Sequence, residues 1–299
     1  MKRFTFITIV LTAMIALQLH AQVSFDIKVY LEGPFNGTEM TTAINYAGLI
    51  SLTQPYNVAP WNYPGTEQVS SIPNPDIVDW VLIELRSTSG GASTATSDKM
   101  IHRQAALLKS DGSVVGMDGM SLITYSGTIA GNLFFVIYHR NHLPVMSSAP
   151  AALNGSTYSW DFTDMLTKAY LNGHKQLSAG VYGMTGGDCN ADKIISMEDI
   201  DPDWSADAGR QGYYAGDVNL DSQVNNPDKN EIWLPNLGSE AKFPWECNTS
   251  FTDERDDQIY TTKQIGTQCW MAEHLNYGTM IPGSQNQQQN TIIEKYCYD

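Results

Sequence analysis

Charge is scarce in this 299-residue chain, where Asp, Glu, Lys and Arg together make up 16%. Base is scarcer than acid: 17 Lys and Arg stand against 32 Asp and Glu, a formal net charge of -15 at pH 7. Nucleic-acid binding needs a basic footprint, so that partner class is excluded. Cysteine is sparse as well, four residues in all, too few for the disulfide-dense scaffold of a small secreted domain. If they pair, four Cys allow three connectivities, and sequence does not choose among them. Long apolar runs are missing after the N-terminus, so the mature chain has no segment expected to span a bilayer. Signatures of catalysis are missing too: there is no G-x-S-x-G, no H-E-x-x-H and no Cys/His pair in a known context. Carboxylate pairs for glycoside hydrolysis meet in space, not in sequence, so a hydrolase with its site in 22–150 stays open as an alternative.

The N-terminus supplies the one apolar run. Lys2 and Arg3 precede Phe6–Leu19, and Leu19-His20-Ala21 offers a cleavage point before Gln22. Residues 1–21 therefore read as a secretory signal peptide. No Cys follows the cleavage point, which argues against a lipid anchor. Losing Lys2 and Arg3 takes the formal charge to about -17, an excess that keeps a secreted chain soluble and suits cations.

About 278 mature residues suit two or three domains. From Ser24 to Leu31 the chain alternates, with Phe25, Ile27, Val29 and Leu31 on one face of a half-buried strand. Val78–Arg86 and Leu133–Tyr138 are apolar on both faces and read as strands covered on both sides. Ser110-Asp111-Gly112 marks a hairpin between Gln104–Lys109 and Ser113–Met117, and Ser87–Ser97 reads as a mobile loop. This punctuation predicts a β-sandwich over 22–150. Asp161 or Thr163 would cap a short helix carrying Phe162, Met165, Leu166 and Tyr170 in a connector, 151–179.

The strongest chemical signal is a pair of twelve-residue stretches starting 29 residues apart, at Asp188 and Asp217. Oxygen-bearing side chains fall at positions 1, 3, 5, 9 and 12 of both, the spacing with which a loop wraps a hard cation. The expected ligands are Asp188, Asn190, Asp192, Ser196 and Asp199 with the Ile194 carbonyl, then Asp217, Asn219, Asp221, Asn225 and Asp228 with the Gln223 carbonyl. Ser196 or Asn225 would act directly or through water. The cofactor expected is Ca2+. Ile195 and Val224 hold position 8, where paired loops are expected to touch. Asn226-Pro227 would start a helix carrying Ile232 and Trp233, stopped at Leu234-Pro235-Asn236.

The duplicated Asp-x-Asn-x-Asp loops, with Asp at position 12, resemble the calcium repeat of dockerin-type modules over roughly 180–240. The resemblance implies loop-then-helix units; dockerins of cellulose-degrading assemblies bind cohesin modules, while many similar repeats elsewhere are structural. Two departures stand out. Lys193 and Ser222 occupy position 6, where Gly is expected, and a left-handed backbone there costs of order 1 kcal/mol. Asp201-Pro202-Asp203 interrupts the helix expected after the first loop.

Residues 247–299 resemble the start of the Fibrobacter succinogenes major paralogous domain. The carrying residues are Phe251–Asp256, Tyr260, Ile265–Asn276 with its Gln-x-Trp-Met-Ala-Glu run, and Lys295–Asp299. Members are secreted or surface modules, common in Bacteroidetes and Fibrobacter. A Cys247–Cys269 bridge, one of the possible pairings, would contribute about 3 kcal/mol in the entropy model.

Two further groups carry polar or aromatic side chains. Strand alternation separates His139 from His142 by face, so the pair reads as polar residues at a strand end and not as a metal site. Tyr30, Tyr56, Trp61, Tyr63 and Trp80 read as core packing, with a sugar-binding platform as the alternative. The expected architecture is mainly β: an N-terminal sandwich, a small α/loop calcium module and a partial α+β C-terminal module. The expected function is non-enzymatic surface adhesion or scaffolding with structural calcium, the partner a surface protein or polysaccharide. An accessory carbohydrate-binding or dockerin-type component of polysaccharide degradation is the alternative.

Overall fold

A computed structural model of the protein describes residues 22–244 and, beyond them, 250–253, 258–265, 268–273, 278–281, 284 and 294–296. The expected signal peptide, Cys247, Cys297 and much of the C-terminal motif lie outside the described residues. The strands in chain order are β1 (Val23–Lys28), β2 (Ile77–Thr88), β3 (Met100–Lys109), β4 (Val114–Val115), β5 (Ile123–Tyr125), β6 (Asn132–His139), β7 (His142–Met146), β8 (Ala152–Asn154), β9 (Thr157–Asp161), β10 (Lys175–Ser178), β11 (Val181–Gly183), β12 (Ser250–Asp253), β13 (Gln258–Ile265), β14 (Gln268–Met271), β15 (Thr279–Ile281) and β16 (Glu294–Tyr296).

The chain is mainly β, and its N-terminal part is a sandwich. One sheet has the order β5-β1-β9-β8 and the other β4-β3-β2-β6-β7. Alternation in β1 puts Phe25 and Ile27 at 1% exposure, and Val29 and Leu31 just beyond it are fully buried. The two sheets meet where the Phe25 ring packs edge-on against Phe135 of β6, centroids 5.4 Å apart. β2 lies between β3 and β6 and is buried almost throughout. Its backbone and Trp80 are covered by the preceding loop: Tyr56 Oη donates to the Trp80 carbonyl at 2.8 Å, and Trp80 Nε1 donates to the Ser51 carbonyl at 2.7 Å.

Burying β2 on both faces strands a charge that must be paired. Glu84 and Arg86 are two apart and bond at 2.7 Å, while Arg103, in register with Glu84 on β3, donates to its other oxygen at 2.6 Å. Arg86 Nη1 also donates to the Ala95 carbonyl at 2.9 Å, tying down the Ser/Thr/Gly tract expected to be a loose loop. Ala95 is fully buried there.

The segment 151–179 is not a connector with a helix. Its first half supplies β8 and β9, and β9 runs parallel to β1 from Ser24↔Thr157 to Lys28↔Asp161. Trp160 and Phe162 follow strand spacing, and Phe162 is fully buried in the sandwich core. Met165 is 53% exposed, and only short turns at Leu166–Lys168 and Tyr170–Asn172 replace the expected helix.

β10 and β11 form a hairpin whose continuation joins the two sheets at one end. Met184 bonds main chain to main chain with Tyr30 and Glu32, past the end of β1. Thr185 accepts from Leu143 N at 2.8 Å, at the start of β7. The chain thus reaches Asp188 from a seam sewn to both sheets. Past the loops, β12-β13-β14 form an antiparallel sheet and β15-β16 a parallel pair.

Candidate functional site

The two loops adopt the same internal pattern. Asn190 Oδ1 accepts from Asp192 N and Asn219 Oδ1 from Asp221 N, both at 2.9 Å. Asp192 Oδ1 accepts from Ile194 N at 2.8 Å, and Asp221 Oδ1 from Gln223 N at 2.9 Å. The position-12 carboxylates close each loop: Asp199 accepts from Asn190 N and Ser196 N, and Asp228 from Val218 N, Asn219 N and Asn225 N. Asp188 and Asp217 accept from the N–H of Lys193 and Ser222. Those two position-6 residues stand at φ 80° and 82°, the left-handed backbone the loop demands of them.

Each loop concentrates acid without a counter-charge among its own expected ligands. Burial, then the neighbouring Asp199, pushes the Asp188 carboxyl up to about 7. Burial pushes Asp199 up to about 6. Burial, then Asp228 and Asp221, raises Asp217 to about 7 against the pull of Arg140, and burial raises Asp228 to about 6. Among the described residues no trio of His, Cys, Asp or Glu is grouped as a metal site by itself. The three Asp of each loop are thus not drawn together by themselves, and the rest of each expected set is Asn, Ser and main-chain oxygen. An all-oxygen donor set is what Ca2+ takes. Asn225 Oδ1, at position 9 of the second loop, is buried with no hydrogen-bond partner. A buried acceptor of that kind is costly unless something satisfies it. The residues of the second loop therefore fit a cation. In the first loop, Ser196 Oγ already accepts from Glu198 N at 3.0 Å and caps the turn Met197–Asp199.

Sequence reasoning placed Ile195 and Val224 in mutual contact, and the structure replaces that contact with an exchange. Both are fully buried, but Ile195 N donates to the Ser239 carbonyl and Val224 N to the Arg210 carbonyl. Gly238 N returns a bond to Ile195 O at 2.8 Å, and Gly209 N to Val224 O at 2.7 Å. Each loop thus pairs with the stretch that leaves the helical segment of the other. The 29-residue offset runs well beyond the loops, relating Gly187 to Gly216, Trp204 to Trp233 and Gly209 to Gly238. Extending the comparison of the two copies past position 12 is the sequence signal for this.

The helical segments differ between the copies. After the first loop, turns at Ile200–Trp204 and Ser205–Asp207 are broken at Asp201, whose extended backbone is what a following Pro imposes. After the second loop, helical turns run Asp228–Trp233 and on through Leu234–Asn236. Leu234-Pro235-Asn236 therefore forms the last turn instead of stopping the helix before it. Pro235, with no N–H to donate, falls where wide turns give way to an ordinary one.

Beneath the second loop lies a buried polar cluster that sequence reasoning missed. β6 and β7 close as a tight hairpin, so His139 pairs with His142 across it, Nδ1 to Nδ1 at 3.1 Å. The hairpin overrides the strand alternation that would separate them. Gly33 N donates to His142 Nε2 at 3.2 Å, so His142 carries its proton on Nδ1. That proton faces His139 Nδ1 and Asn141 Oδ1. His139 then holds its own proton on Nε2, donated to Asp79 at 3.2 Å. Burial holds both imidazoles below their ordinary range, His142 the further. Burial would raise Asp79, but Arg140, His139 and Tyr213 outweigh it and hold the carboxyl well below the usual range.

The same hairpin grips both loops. Arg140 Nε donates to Asp79 at 2.9 Å while its Nη1 donates to the Tyr214 carbonyl. Asn141 Nδ2 donates to the carbonyls of Ala215 and Asp217, at 2.8 and 2.7 Å. The Asn141 carbonyl accepts from Gly187 N, next to Asp188, at 3.0 Å. The clue in the sequence was the run His139-Arg140-Asn141-His142, four polar residues between apolar strands.

The remaining candidates fall to packing. Tyr56 and Trp80 are fully buried, and Tyr30 and Tyr63 are 8% exposed, so these rings are core and offer no sugar platform. Trp61 lines a cleft of about 110 Å3 beside the first loop, with Arg103, Tyr138, Pro144 and Lys193. Its one carboxylate, Asp188, belongs to the loop, whereas glycoside hydrolysis takes two. Cys189, inside the first loop, is buried.

No family model matches the chain, and no curated protein matches it. Among solved structures it is similar to an N-terminal interface mutant of a type II cohesin–X-dockerin complex from Acetivibrio cellulolyticus. Identity is 12%, coverage is 74% of this chain and 96% of that one, and the TM-score is 0.33. A likeness of that size leaves this chain's function to be argued from its own residues. Among the described residues no helix is long and apolar enough to cross a membrane.

Proposed function

We propose that this chain is a secreted or cell-surface protein of adhesion or scaffolding, non-enzymatic, in which two structural calcium ions hold its shape. The calcium reading is carried by one observation above the others. Two loops with the same oxygen spacing bury four carboxyls against their own charge, and the second keeps a buried Asn225 Oδ1 without a partner. A bound divalent cation would neutralise that charge and take up that acceptor. Asp188, Asn190, Asp192, Ser196, Asp199 and the Ile194 carbonyl would hold one ion. Asp217, Asn219, Asp221, Asn225, Asp228 and the Gln223 carbonyl would hold the other. Secretion rests on the Lys2-Arg3 start and the apolar run before Gln22. The surface role, with a protein or polysaccharide as partner, rests on the dockerin-like and Fibrobacter-type resemblances in 180–240 and 247–299. In this reading the loop module is the rigid joint between the sandwich, 22–161, and the C-terminal module.

Titration calorimetry on chelator-treated protein tests the reading. Two calcium equivalents should bind, with dissociation constants of roughly 10⁻⁴–10⁻³ M as in extracellular modules. At a hundredfold excess over the dissociation constant, each ion should stabilise the fold by about 2.7 kcal/mol. Absence of binding heat together with an unchanged melting temperature would refute it.

A further inference from the structure

We infer that Trp204 and Trp233 couple the two loops, so that an ion in one raises the affinity of the other. The inference rests on the calcium reading above. Trp204 follows the first loop, yet its Nε1 donates to the Asn225 carbonyl, at position 9 of the second, at 3.2 Å. Trp233 follows the second loop, yet its Nε1 donates to the Ser196 carbonyl, at position 9 of the first, at 3.0 Å. Each indole stands five residues past position 12 of its own loop and serves position 9 of the other.

The exchange is reinforced on both sides. Positions 6 to 8 of the first loop bond with residues 238–241, and those of the second with 209–212. Gly209 and Gly238, at φ 84° and 86°, turn the chain out of each helical segment and into the partner loop. Trp233 is 3% exposed and packs with Ile195, Ile200 and Leu143, with Trp204 against the same cluster. An ion orders positions 1 to 12 of its own loop and, with position 12, the start of the helical segment that follows. That segment carries the indole and the strand on which the other loop depends. A ligand that orders one element lowers the ordering cost of a second ligand that uses it. By linkage the effect is reciprocal.

The test is calorimetry on variants in which one loop is silenced. Asp221→Asn removes an exposed carboxylate of the second loop and leaves the first to be read alone. Coupling predicts that the first loop's affinity then falls severalfold from its value in the wild-type protein. The indole variants give a crossed result. Trp204→Phe should weaken the second loop and Trp233→Phe the first, each by about tenfold, the lower end for partners that orient ligands. Melting in chelator reads the same contacts without metal, and fluorescence reports whether each variant folds. If Trp233→Phe fails to fold, the partly exposed Trp204 carries the crossed test. Wild-type binding at two independent sites, with Asp221→Asn leaving the first loop unchanged, overturns the coupling alone. A wild-type protein that binds no calcium overturns the underlying reading instead.

Discussion

The Cβ that Gly33 lacks would stand 1.8 Å from the carbonyl oxygen of Val218. Val218 is position 2 of the second loop, and Gly33 follows the first strand of the sandwich. The two backbones touch because Gly33 has no side chain to fill the gap. Gly33 N also supplies the hydrogen bond that fixes the His142 tautomer. Gly33→Ala should therefore cost at least the 1–3 kcal/mol of an overpacked core, about what forced backbone shifts cost. Urea unfolding of the variant reads this. A cost under half a kcal/mol would mean that the loop does not rest on the sandwich as described.

Ser222 stands at φ 82° with its Oγ no closer than 3.5 Å to Gln211 Nε2, so its side chain contributes little there. Ser222→Gly should relieve backbone strain of order 1 kcal/mol. Raised melting temperature in chelator is the expected readout. An unchanged or lower value would show that the loop tolerates a side chain at position 6 without strain.

In the calcium reading proposed above, the ion and protons would compete for the loop carboxyls, with a sign set by the carboxyl shifts. Asp188 and Asp217 sit near 7 and Asp199 and Asp228 near 6, all above the ordinary carboxylate value. A raised carboxyl binds protons in the folded state that the unfolded state has lost, so its contribution to stability falls as pH rises from about 4 through 7. An ion that replaces those protons stabilises more at high pH. The calcium-dependent rise in melting temperature should be larger at pH 7.5 than at pH 5. Equal rises at the two values would contradict the assignment of these carboxyls as ligands.

The His139–His142 pair predicts the opposite slope from another part of the protein. Both imidazoles are held neutral, so the unfolded chain takes up protons that the folded cluster refuses. This term lowers stability as pH falls below about 6.5, the ordinary histidine value. Asp79, held low, adds a loss below about 4. In saturating calcium, His142→Asn should flatten the upper part of that acid limb in urea titrations. A limb as steep as wild type would place the titration elsewhere.

Removing one side of the buried ion pair should be costlier than removing both. Asp79→Asn removes the carboxylate that hydrogen-bonds the buried Arg140 guanidinium and should cost about 3–5 kcal/mol. Adding Arg140→Met to it should recover part of that loss. A double variant as unstable as the sum of the single ones would show that the two residues act independently.

Much of the framework was legible in the chain. Alternation at Phe25, Ile27, Val29 and Leu31 marked β1, the doubly apolar Val78–Arg86 marked a central strand, and Ser110-Asp111-Gly112 marked a hairpin. Each is a pattern local to a few consecutive residues. β9 was not legible, because Thr157–Asp161 is short, partly buried along its length and paired with a strand more than a hundred residues earlier. The polar hairpin 139–142 escapes alternation for a related reason: alternation holds along a strand and lapses where the strand turns back.

The oxygen-bearing residues of the two loops and their spacing were determined by the sequence alone, since side chains at fixed intervals need no tertiary information. So was the left-handed backbone forced on Lys193 and Ser222. What only the tertiary structure decided is how the two loops meet. They trade their exit segments and rest together on Asn141 of the sandwich, with Gly187 N on one side and the Asp217 carbonyl on the other. The physical reason is that buried N–H and C=O groups at the loop entries must find partners. Those partners came from residues that no interval along the chain brings near.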